Sequence, residues 1–134
     1  MLLFMGSKPF MMEIKKGSCH CKSVEFEVQL ENGFENIRRC NCSLCRRKGS
    51  IIASVPIQKL KVTKGEDHLT LYQWNTKTAK HYFCKICGIY THHQRRSNPN
   101  EFGFNVACID GVNPFDFTTV AIGNGASQSL LDTK

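Results

Sequence analysis

The sequence predicts a mostly β domain of short antiparallel strands, and three observations point there. Val24, Phe26, Val28 and Leu30 alternate with Ser23, Glu25, Glu27 and Gln29, the period of a strand with one buried face. Asn32-Gly33 ends that run with turn chemistry, and Pro56, Gly65, Asn98-Pro99 and Asp110-Gly111 cut the rest into pieces of similar length. No window carries a sustained apolar stripe at helical spacing.

Taken in order, the opening residues 1–12 hold four methionines and a short apolar run. They lack a basic segment, a long apolar core and a small-residue cleavage site, so they do not read as a secretory signal. Met11 or Met12 is an equally good start, which makes 1–11 an N-terminal extension. The domain is expected over 12–122, with strands at 24–30, 51–55, 60–63, 69–74, 79–83, 89–93 and 102–109. Residues 123–134 are small and polar and are expected to form a loose tail. There is no internal repeat, no low-complexity linker and no apolar stretch long enough to span a bilayer. A chain of 134 residues that is 41% hydrophobic and 22% charged fits one globular domain, and the expected location is cytoplasmic.

Eight cysteines dominate the composition. A disulfide framework belongs to secreted chains, and these cysteines are spaced like metal ligands instead. Seven of them fall in Cys19-His20-Cys21, in Cys40-Asn41-Cys42-Ser43-Leu44-Cys45 and in Cys84-Lys85-Ile86-Cys87-Gly88, and the eighth is Cys108. In C-x-C, residues i and i+2 share one face of an extended chain, and both can reach one ion. In C-x-x-C-G the tight turn aims both sulfurs at one point, and glycine permits the positive φ that follows.

Spacing does not dictate which clusters pair. The economical solution joins Cys19 and Cys21 to Cys84 and Cys87 in a closed four-thiolate zinc site, structural by its saturation. Cys40, Cys42 and Cys45 then form a three-thiolate site with one position left open, as at a reactive zinc. The alternative takes Cys108 as a fourth ligand and makes both sites structural. Phe102, Phe104, Val106 and Cys108 share a strand face that looks like core, which favours a buried free thiol at Cys108. Iron–sulfur spacings are absent.

The formal charge of +7 invites a nucleic-acid reading. Zinc-bound thiolates would reduce that excess, and basic and aromatic residues are not interleaved as in single-strand binders. His20, His81, His92 and His93 are candidates for proton shuttling or for a fourth ligand position. If 89–93 is a strand, His92 and His93 must face opposite ways. Tyr72, Trp74 and Tyr82 alternate with polar neighbours and are expected in the core.

Gly17-Ser18-Cys19-His20-Cys21, Cys40-Asn41-Cys42-Ser43-Leu44-Cys45-Arg46-Arg47, Phe83-Cys84-Lys85-Ile86-Cys87-Gly88 and Asn105-Val106-Ala107-Cys108-Ile109-Asp110-Gly111 occur in that order. Together they resemble the glutathione-dependent formaldehyde-activating enzyme family, which includes relatives of centromere protein V, over about residues 12–122. The resemblance implies a compact β-tent fold and two zinc ions, one structural on Cys19, Cys21, Cys84 and Cys87. The other, reactive ion would sit on Cys40, Cys42 and Cys45. It also implies carbon–sulfur lyase or synthase chemistry on a glutathione adduct of formaldehyde or a similar small electrophile. One departure is Lys22, where members usually carry glycine.

Glutathione has two carboxylates, and Arg38, Arg39, Arg46, Arg47 and Lys48 flank the open-site motif, with Arg95-Arg96 later. Arg46, beside Cys45, is the expected contact. Two other readings compete with the enzyme: a non-catalytic glutathione or thiol carrier, and a zinc-stabilised nucleic-acid-binding module.

Overall fold

The computed structural model describes residues 12–127, so the expected extension and the end of the expected tail lie outside the described residues. In chain order the elements are β1 (Glu13–Ser18), β2 (Glu25–Leu30), β3 (Glu35–Cys40), α1 (Ser43–Lys48), β4 (Ile52–Pro56) and β5 (Leu60–Lys64). They continue with β6 (Leu69–Tyr72), β7 (Lys80–Cys84), β8 (Tyr90–Gln94), β9 (Glu101–Asn105) and β10 (Ala121–Gly123). The fold is mostly β, as expected, and its strands form two sheets. One has three strands, in the order β1-β2-β5, and the other has seven, in the order β10-β3-β4-β9-β8-β7-β6. Neighbours run antiparallel except β10, which lies parallel to β3. No helix among the described residues is long and apolar enough to cross a membrane.

The core follows from period two. Phe26, Val28 and Leu30 of β2 turn their buried face toward Ala53 and Val55 of β4 and Phe104 of β9, with Leu60, Val106 and Ile109 filling the edges. Burying side chains of this size contributes about 1.5–3 kcal/mol each. Ile52 and Ser54, on the opposite face of β4, are also buried, because that face is covered on its other side as well. The strand expected over 102–109 stops at Asn105. The Asn105 carboxamide oxygen accepts from the Ala107 amide at 3.1 Å and turns the chain into a short 3-10 segment, Val106–Cys108. Val106 and Cys108 still reach the core from that turn.

The unexpected elements have weak periodic patterns. β1 is largely exposed and polar. β3 carries Asn36 at φ +58° and a register shift between Glu35 and Arg38, which break the alternation. α1 is six residues long, too short for an apolar stripe, and its ends are fixed locally. Cys42 Sγ accepts from the Cys45 amide at 3.3 Å at the start, and Gly49, at φ +68°, ends it.

Lys22 adopts φ +65° in the turn closed by its amide on the Cys19 carbonyl at 3.3 Å. A non-glycine residue there costs roughly 1–2 kcal/mol, and glycine forfeits about 0.5–1 kcal/mol of unfolded-state entropy. Lys22→Gly is expected to stabilise the fold by about 0.5–1 kcal/mol, measured as a higher urea midpoint at unchanged slope. A lower midpoint would contradict the strain at this position.

Candidate functional site

The strand ends deliver the cysteines. Cys19 and Cys21 lie in the turn after β1, Cys84 ends β7, and Cys87 follows on the knuckle that Gly88 closes at φ +80°. Their sulfurs all lie within 4.8 Å of one another, with Cys19–Cys21 and Cys21–Cys84 at 3.7 Å. A tetrahedral zinc with Zn–S near 2.3 Å places its sulfurs about 3.8 Å apart, so the donor set fits that ion. The Val24 and Ile86 amides each donate to a cluster sulfur, Cys19 Sγ and Cys84 Sγ, at 3.4 Å. Burial pushes the Cys19 thiol up to about 11, whereas hydrogen bonds from Ser23 lower the exposed Cys21.

Cys40 at the end of β3, Cys42 at the helix start and Cys45 inside α1 form the second group, again within 4.8 Å. Hydrogen bonds from the Cys42 and Cys45 thiols hold Cys40 well below the usual thiol range, and the Gly125 amide adds to the effect. Three sulfurs on one side of an open space fit a zinc ion with a free position. Cys108 belongs to neither group. It is buried in the core with its Sγ 3.6 Å from the Tyr90 carbonyl, and burial raises its pKa to about 12.

The three-sulfur group opens on a cavity of about 280 Å³. Arg38, Arg95 and Arg96 line it. Arg38 Nη1 makes both of its bonds, to the Asn36 carbonyl at 2.8 Å and to Ser54 Oγ at 3.0 Å. Burial lowers its pKa, and among the described residues no carboxylate lies in ion-pair range of it. Arg95 is held by Glu101 and by Ser97 Oγ. Arg46 is exposed on α1 and is not among the lining residues, nor are Arg39 and Arg47. Trp74, expected in the core, lines the cavity instead, and Tyr72 is exposed.

His92 and His93 do face opposite ways, yet both are buried. Both keep the ordinary alternation of a strand, opposite Tyr82 and His81 of β7, on a sheet covered on both faces. The bulge on β8 falls just before them, where Tyr82 pairs with His92 and Phe83 with Tyr90 and leaves Thr91 as the extra residue. His92 turns to an aromatic layer, stacked on Tyr82 at 4.8 Å with Phe102 edge-on. His93 turns to the cavity, its Nδ1 2.6 Å from Tyr90 Oη, beside His81 on β7. Burial holds His81 and His92 neutral, with pKa values near 3 and 4. His20 is exposed.

Sequence reasoning missed the strap over Cys40. After β10 the chain crosses the cluster, and a Cβ on Gly125 would stand 2.5 Å from Cys40 Sγ. Asn41, between two cysteines, holds the strap: its amide donates to the Gly123 carbonyl at 3.1 Å and its Nδ2 to Asn124 Oδ1 at 3.0 Å. Its Oδ1 accepts from the Ala126 amide at 2.9 Å. Residues 123–126 are therefore pinned, not loose. The available signal was a small-residue segment facing a carboxamide set between two thiols.

Residues 14–120 match the family described as glutathione-dependent formaldehyde-activating enzyme. A Colletotrichum graminicola protein carrying that family designation is 28% identical over 88 residues, which is 63% of this chain and 45% of the relative. The chain thus spans less than half of that relative's length. A crystal structure of a Rhodobacter sphaeroides protein superposes with a TM-score of 0.77 at 59% identity, covering 80% of this chain and 98% of the other.

Asn41→Ala should release the strap without unfolding the sheets. The Ala126 amide is expected to exchange about tenfold faster or more, since a lost hydrogen bond of this kind is worth about 1–1.5 kcal/mol, while core amides of β4 and β9 keep their protection. Unchanged exchange at Ala126 would show that Asn41 does not hold it.

Proposed function

The chain belongs to the glutathione-dependent formaldehyde-activating enzyme family, and from that premise we propose that it is a zinc-dependent carbon–sulfur lyase or synthase, joining glutathione to formaldehyde or cleaving the adduct. The observation that carries this reading is the opening of Cys40, Cys42 and Cys45 onto an arginine-lined cavity. The other cluster has four sulfurs, which would fill the coordination of a tetrahedral ion.

Cys19, Cys21, Cys84 and Cys87 would hold a structural zinc, and Cys40, Cys42 and Cys45 a second. Held by three thiolates, the second ion would be a weak Lewis acid for water but would supply a position that keeps a substrate thiol ionised near neutral pH. The protein's own part is binding and placement. Arg38, with its remaining guanidinium donors uncommitted to carboxylate, suits one glutathione carboxylate, and Arg95 or Arg96 the other. Trp74 supplies an apolar wall against the peptide chain of the substrate. Fixing the sulfur beside a small cavity replaces a bimolecular encounter with a local one. Arg46, exposed outside the lining, is not assigned a contact.

The deciding experiment measures formation of S-hydroxymethylglutathione by zinc-loaded protein against the uncatalysed reaction, alongside glutathione binding by calorimetry. Turnover above background is expected; binding without turnover would make the protein a carrier. Arg38→Ala should weaken glutathione about tenfold or more, because a hydrogen bond to a charged group is worth about 1.5–3 kcal/mol, with zinc content unchanged.

Elemental analysis should find two zinc ions per chain, one on each sulfur cluster. Cys42→Ser should remain folded with one zinc fewer and no thiol binding. Cys84→Ser should be insoluble or strongly destabilised, because zinc joining distant parts of a chain is folding free energy. The opposite pattern would reverse the two roles.

A further inference from the structure

We infer that His81 donates a hydrogen bond from Nε2 to the oxygen of the substrate's hydroxymethyl group, and that Lys48 is the positioning residue that fixes the imidazole tautomer making this possible. This rests on the proposed reading of the cavity as a site for glutathione and formaldehyde.

Lys48 ends α1, three positions after Cys45. Its chain turns inward, so that Nζ lies 3.5 Å from the centroid of the Tyr90 ring and 3.2 Å from His81 Nδ1. An ammonium group has donors and no acceptor, so His81 Nδ1 must accept. A second proton on the ring would set two cations against each other, so the imidazole is neutral and carries its hydrogen on Nε2.

The ring orientation is over-determined. His81 stands opposite His93 in the β7–β8 register, and the two rings stack at 5.0 Å and 17°. His93 is held in turn by Tyr90 Oη and by the bare backbone of Gly103, where a Cβ would come within 2.5 Å of the His93 ring. His81 lines the cavity that Cys40, Cys42 and Cys45 floor. Its Nδ1 is occupied by Lys48, which leaves Nε2 as the ring nitrogen to meet a molecule bound in the cavity.

The reaction calls for a donor at that place. In synthesis the glutathione sulfur pair forms the S–C bond, and the C=O π pair moves onto oxygen. The nascent alkoxide accepts from His81 Nε2–H, which keeps its proton. The proton lost when the thiol ionised returns to the oxygen through water, and nothing is oxidised or reduced. Cleavage runs the same steps backwards. A preorganised donor aimed at a developing oxyanion lowers the barrier in both directions. The substrates so selected are adducts with a hydroxyl on the sulfur-bearing carbon, not simple thioethers.

The test combines a tautomer measurement with kinetics on zinc-loaded protein. Long-range proton–nitrogen NMR of histidine-labelled protein should show His81 protonated on Nε2 and bare on Nδ1, and Lys48→Met should abolish that preference. With glutathione and formaldehyde as probes, His81→Phe should slow turnover on the order of 100-fold while glutathione affinity changes less than about twofold. His81→Gln, whose carboxamide N–H can stand near the place of Nε2, should recover about tenfold of the loss. A proton on Nδ1 in the unmodified protein, or a His81→Phe variant as fast as its parent at equal zinc content, overturns the inference alone. An unmodified protein that never exceeds the uncatalysed rate overturns the reading of the site, and this inference with it.

Discussion

Seven sulfur atoms crowded into groups of four and three, each group within 4.8 Å, are the constraint around which the strands are arranged. Thiols this close cannot all ionise without a compensating cation, and as neutral thiols they offer only weak hydrogen bonds. The chain meets the constraint by bringing strand ends together. β1 runs into the turn of Cys19 and Cys21, while β7 stops at Cys84, 63 positions beyond Cys21 in sequence. β3 stops at Cys40, and the first turn of α1 carries the other two sulfurs. Each sheet can then twist and pair as its side chains prefer, because the sulfur clusters sit at strand ends and interrupt no ladder.

The seven-stranded sheet separates two environments. On one face Ala53, Val55 and Phe104 pack against the smaller sheet. On the other, Ile52, His81 and His93 border the cavity with the arginines. Ordinary alternation along β8, on a sheet covered on both faces, buries the adjacent histidines in different company, one among aromatic rings and one at the cavity wall. Lys48 reaches the same wall from the helix that carries Cys45, so the helix and the histidine pair are joined through one ammonium group.

The mostly β class and most strands were legible because period-two alternation reports burial directly. Val24 to Leu30 shows this, with Phe26, Val28 and Leu30 all buried. β3, β10 and α1 were not legible, for physical reasons. Asn36 breaks the alternation of β3, the sequence of β10 is too short to carry a period, and α1 is held by a thiol cap and a glycine. The cysteine spacings separated the chain into three motifs, but not the residues around them. Adjacency in sequence pointed to Arg46, whereas the helix carries that side chain to solvent and leaves Arg38, a strand residue, facing the cavity. The alternation around Trp74 suggested core, yet β6 ends at Tyr72, and Trp74 follows in a loop at the cavity rim.

The strap at residues 123–126 has a consequence for the order in which the two clusters mature. A chain synthesised from its N-terminus presents Cys19, Cys21, Cys84 and Cys87 before it presents Gly125. The four-sulfur cluster has all its donors once Cys87 has emerged. The three-sulfur cluster has its donors earlier still, yet it lacks its cover, the Gly125 amide on Cys40 and the Asn41 clasp, until the last described strand arrives. During biosynthesis the four-sulfur cluster can therefore assemble while Cys40 remains accessible, and the cavity wall beside Cys40 is finished last.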